Sequence, residues 1–74
     1  MTTYRVTKFW IENNLVMNYP TETLHSSNEV FELSQDFFNN GKIYSTHTED
    51  SNESYIKCVG DDTKIIHVSE TNLP

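Results

Sequence analysis

The sequence predicts an α+β domain, a small and mainly antiparallel sheet of about five strands with one helix packed across it in the order ββαβββ. Three observations lead there. One stretch alone, 26–41 (SSNEVFELSQDFFNNG), joins a helix start signal, a helical apolar spacing and a stop signal. The remaining apolar residues fall in short runs rich in β-branched and aromatic side chains. Between these runs stand Asn13-Asn14 and Gly60-Asp61-Asp62, residue types suited to tight turns.

The first run, 3–12 (TYRVTKFWIE), contains no Gly or Pro and reads as a strand. Alternation gives it two faces: Tyr4, Val6, Lys8 and Trp10 on one, Arg5, Thr7, Phe9 and Ile11 on the other. Both carry apolar residues, the mark of a central strand or of one with a face given to a partner. Either face could meet the helix. Asn13-Asn14 accepts the positive φ of a two-residue hairpin turn, so a second strand follows at 15–19 and ends at Pro20, which has no N–H for a ladder. Residues 21–27 (TETLHSS) read as the link to the helix cap.

Ser26 with Glu29 forms a capping box, each side chain reaching a backbone N–H that the first helical turn leaves unpaired. Val30, Leu33 and Phe37, with Phe31 and Phe38 beside them, recur on one helical face, while Glu29, Glu32, Gln35, Asp36 and Asn39 fall on the other. Asn40-Gly41 supplies a left-handed helix end. Three strands complete the chain, at 42–48, 54–59 and 63–70, the first two separated by the polar loop 49–54 and the last two joined as a hairpin. The first and third strands could be parallel across the helix, and the last hairpin could stand apart as a dimerisation arm.

Seventy-four residues make one domain, 1–74, too short to bury a large core, so its stability calls for help from oligomerisation or a partner. The one cysteine, Cys58, cannot form an internal disulfide and reads as a small core residue. No run approaches the length of a membrane span, and a soluble protein of the cytoplasm is expected, the host's if the chain is phage-encoded. Eleven acidic and five basic residues give a net charge of −6, with pI near 4.7. That balance disfavours direct binding to nucleic-acid phosphates and favours a protein partner with a basic surface.

Catalysis has no foothold in the pattern, and no enzyme activity, cofactor or metal is expected. His25, His47 and His67 stand at no metal-ligand spacing, and no nucleophile motif surrounds Cys58 or any serine. Glu49-Asp50 and Asp61-Asp62 read as solvated turn carboxylates, since a general acid needs burial to raise its pKa. Two features stand out instead. Between Glu22 and Glu53 the acidic residues Glu22, Glu29, Glu32, Asp36, Glu49, Asp50 and Glu53 face a single base, Lys42. Aromatic residues also exceed what so small a core needs. The expected partner-binding residues are Glu29, Glu32, Asp36, Glu49, Asp50, Glu53, Trp10 and Tyr44.

In general character the chain is similar to the short acidic accessory proteins with which bacteriophages and other mobile elements bind and block a host factor. The resemblance is one of composition and names no family. It implies a viral inhibitor acting by protein–protein contact, its negative surface competing for a site that otherwise holds nucleic acid. The alternative is a structural or self-assembling homodimer in which the charge only keeps the chain in solution.

Overall fold

The structure, a computed structural model, describes residues 1–38, 41–47, 52–60 and 62–72, without the side chains of Thr46 and His47. Six strands and one helix follow in the order βββαβββ: β1 (Thr2–Glu12), β2 (Leu15–Asn18), β3 (Glu22–Leu24), α1 (Ser27–Phe37), β4 (Lys42–His47), β5 (Glu53–Val59) and β6 (Thr63–Asn72). They form one sheet in the spatial order β2-β1-β6-β5-β4, with β3 also on β1. Every pairing is antiparallel. The α+β class is therefore as the sequence predicts, with one strand more.

That extra strand is β3, read from the sequence as linker. The cause is the length of β1. Its second half, from Phe9 to Glu12, pairs with β2, and the edge left beside Tyr4, Arg5 and Val6 is taken by Leu24, Thr23 and Glu22. A run of three residues carries too little periodicity to announce itself; the long neighbour supplies the ladder. The Asn13-Asn14 turn has φ of 51° and 64°, the two positive values that a two-residue hairpin demands.

The first and last strands pair through nine residues, from Thr2↔Asn72 to Trp10↔Lys64. Strand β6 is thus central, which rules out a free C-terminal arm, and the third strand of the sequence reading, β4, lies at the far edge with no pairing to β1. Of the two faces of β1, that of Tyr4, Val6, Lys8 and Trp10 turns to the helix. Val6 and Ile66 are fully buried, and Phe38, Cys58 and Val68 complete the buried core. Tyr4, Leu24, Val30, Leu33, Phe37 and Ile56 pack half-buried around it. Burial of a Val or Ile side chain contributes about 1.5–3 kcal/mol, so Val6 and Ile66 are a large share of a small core. The opposite face of the sheet carries no helix among the described residues.

The helix starts as expected and ends differently. Ser26 Oγ accepts the Glu29 N–H at 3.2 Å, and the Glu29 carboxylate accepts from the N–H of His25, one residue before the cap. The helix stops at Phe37, and Phe38 turns into extended backbone with φ −91° and ψ 113° to reach the core. Burying that ring outweighs continuing toward Asn40, which lies outside the described residues. Gly41 has another task. Its φ is +151°, and a Cβ there would stand 2.6 Å from the Val59 carbonyl oxygen, so glycine lets β4 approach β5. Phe31, placed by the sequence beside the apolar face, is 62% exposed.

Two substitutions test this account by urea unfolding. We expect Ile66→Ala to cost about 2–5 kcal/mol by opening a cavity under the helix. Gly41→Ala, which must move backbone, should cost about 1–3 kcal/mol. An unchanged midpoint in either variant would contradict the packing described.

Candidate functional site

Helix α1 carries two unlike flanks on either side of its half-buried apolar stripe. Glu29, Glu32 and Asp36 recur at the i, i+3, i+7 positions of one flank. There they line, with Glu22, a cleft of about 450 Å³ floored by Lys8, Tyr19 and Phe37. A second cleft of about 550 Å³ adjoins it, sharing Asp36, Tyr19 and Phe37 and adding Trp10, Glu12, Asp62 and Lys64. Six carboxylates therefore surround one ledge of three aromatic rings.

The ledge is built by pairing. Trp10 stands on the helix side of β1, and Tyr19, held by its N–H to the Lys8 carbonyl at 3.0 Å, brings its ring to 4.6 Å from that of Trp10. Phe37 meets Tyr19 edge-on at 6.3 Å. The indole N–H of Trp10 donates to Glu12 at 3.2 Å, fixing the ring against the rim.

Two lysines enter this acidic surface, and both are engaged. Lys8 pairs with Glu22 at 3.1 Å and lies 4.9 Å from the Tyr19 ring centre. Lys64 donates to the Phe37 carbonyl at 2.9 Å, so β6 supplies the cation that the last turn of the helix lacks. Glu32 and Asp36 are exposed. Their position is locally unfavourable: they are like charges four residues apart, and Asp36 stands at the negative end of the helix dipole. Among the described residues neither makes a hydrogen bond or ion pair that would offset this cost.

The flank gathers four of the expected residues, Trp10, Glu29, Glu32 and Asp36. Glu53 and Tyr44 lie elsewhere, on the sheet face away from the helix. Alternation along β5 and β4 puts them there. Glu53 approaches His67 Nε2 at 3.4 Å, and Lys42 lies 5.5 Å from the Tyr44 ring centre. Glu49 and Asp50 fall outside the described residues. Sequence reasoning does not place Glu12, Glu22, Tyr19, Phe37 or Asp62 among the partner-binding residues, though Glu22 belongs to the acidic run and Tyr19 is one of the surplus aromatics, at a strand end before proline.

The same alternation separates Cys58, buried at 4% exposure among the core residues, from His67, which stacks on Tyr55 at 4.7 Å across the sheet. Among the described residues no three His, Cys, Asp or Glu side chains converge as metal ligands, and no helix is long and apolar enough to cross a membrane. Comparison with protein-family models, curated proteins and solved structures finds no match.

Thermal or urea unfolding separates the structural from the merely charged members of this flank. Ser26→Ala removes the helix cap and should cost about 1 kcal/mol. Glu32→Gln and Asp36→Asn relieve repulsion and should each raise stability by about 0.2–0.5 kcal/mol. Destabilisation by the last two would show that the carboxylates hold the fold.

Proposed function

We propose that this protein is a non-enzymatic binding protein that occupies a basic surface of a protein partner through the acidic flank of α1. One observation carries the reading: carboxylates of the helix, of β1 and of the turn before β6 ring an aromatic ledge. Lysine and arginine side chains are suited to such a site, since their charge meets carboxylates while their flat or apolar parts lie on rings. The acids at Glu32 and Asp36 work against the helix that carries them. Residues kept at a cost to local stability are what a contact surface requires.

Occupying a basic surface is by itself an inhibitory act where that surface holds nucleic-acid phosphates. The compositional likeness to phage accessory proteins supports that role, with a host factor as the partner blocked. Neither a cofactor nor a catalytic step enters this mechanism.

Trp10 is the only tryptophan, so its fluorescence reports directly on the ledge. Titration with an arginine-rich peptide should change that signal, with affinity falling as salt is raised. The combined variant Glu29→Gln, Glu32→Gln, Asp36→Asn should bind at least about tenfold more weakly, as expected when charge-assisted contacts worth about 1.4 kcal/mol or more in total are lost. Capture of a partner from host lysate should weaken in the same variant and at high salt. Binding indifferent to both changes would move the interface elsewhere.

A further inference from the structure

The other flank of α1 is of opposite character, and we propose that it is the seat of a homodimer formed by antiparallel pairing of β4 with β4 of a second copy. A groove of about 640 Å³ runs there between the helix and the β4 side of the sheet. Val30, Phe31, Phe38, Ile43 and Ile56 give it an apolar lining, and Ser27, Ser34, Gln35 and Ser45 complete it without an ionisable side chain. In a chain with 22% charged residues, such depletion beside exposed aromatic surface is the composition of an interface centre. Phe31 is 62% and Ile43 58% exposed.

The two edges of the sheet differ in a way that selects a strand as the occupant. On one side the edge is formed by β2 and β3, of four and three residues, with Pro20 between them. Short strands and proline are the ordinary protection of an edge. On the other side β4 runs for six residues with no proline, and its pairing among the described residues is with β5 alone. Every second residue of β4 therefore turns its N–H and C=O outward, a row that a further strand can pair in register.

Self-pairing meets the rest of the surface. A two-fold axis perpendicular to the sheet joins β4 to β4 antiparallel and keeps both helices on one side, so the two grooves meet across the seam. Pairing centred on Tyr44 sets Ile43 of one copy beside Ser45 of the other and brings the exposed Phe31 rings toward the same seam. It also places the two Lys42 side chains about 13 Å apart, beyond the Debye length. The carboxylates of Glu29, Glu32 and Asp36 stay on the far flank, so those charges of the two copies do not meet across the seam. A basic partner would find no charge here to pair with. The contact closes on itself and leaves the unprotected edge covered.

Light scattering on the intact chain across about 1–100 μM tests this. We expect twice the monomer mass of 8.6 kDa at the upper end, and a melting temperature that rises with concentration. Phe31→Glu and Ile43→Lys, both at exposed positions, should each weaken dimerisation at least tenfold while keeping the wild-type circular dichroism spectrum. In a mixture of isotope-labelled and unlabelled chains, intermolecular contacts should connect antiparallel β4 strands. A monomer at every concentration, or a dimer that survives both substitutions or shows its contacts outside β4 and the groove, would overturn the proposal. The wild-type mass and the mixed-label contacts decide the matter even if a variant fails to fold.

Discussion

The pairing of β1 with β6 is the constraint on which the molecule depends. Its nine residue pairs join the two ends of the chain, and Thr2 Oγ1 donates to Asn72 Oδ1 at 2.7 Å across 70 residues. Without it the N-terminal hairpin and the C-terminal strands are separate pieces, each with an apolar face and nothing to set against it. With it, Val6 and Val68 stand opposite one another and Ile66 faces Lys8, which creates the one surface on which α1 can settle. Such a contact is costly to form, because the loop entropy of most of the chain is lost before its rewards arrive. The hairpins are local contacts, and the β1–β6 pairing is the long-range one that joins them.

That closure also builds the candidate site. Trp10 and Lys8 reach the helix side only because the register of β1 against β6 sends even-numbered residues of β1 there. Lys64 arrives beneath the end of α1 as the residue paired with Trp10. Its bond to the Phe37 carbonyl ties the helix end to the central strand. The acidic flank is consequently held by three separate parts of the chain. Lysines within it are spent on structure, which leaves the outer carboxylates to govern the potential.

The sequence made legible what is local. The Asn13-Asn14 turn, the Ser26 cap and the alternation of β1, β5 and β6 each have a physical signal within a few residues, and each element stands near its expected place. What the sequence hid depends on neighbours. The three residues of β3 are a strand because β1 has an unfilled edge, and the helix ends early because Phe38 finds a core pocket. Of the site, Glu29, Glu32, Asp36 and Trp10 were legible from helical spacing, charge and residue type. Tyr44 and Glu53 could not be told apart from them, since only pairing decides the face. Glu12 and Asp62 join the site through the closure of the sheet, which no local pattern records.

The polar side of the helix, uniform when read as sequence, is divided in space. Gln35 leaves the carboxylates to line the neutral groove with Phe31, while Glu29, Glu32 and Asp36 turn toward Tyr19 and β3. This division bears on how one small domain could hold two contacts. A stripe of acids opposing a second copy of itself would repel it, whereas acids on the flank away from β4 leave the seam neutral. In a dimer paired through β4 the two acidic flanks point outward on the same side of a continuous sheet. Two equal sites on one such body would engage a partner that repeats its basic surface, or a partner that is itself two-fold, with a second contact that is intramolecular. The gain needs no new interaction. Avidity would then supply affinity beyond that of six exposed carboxylates screened by salt.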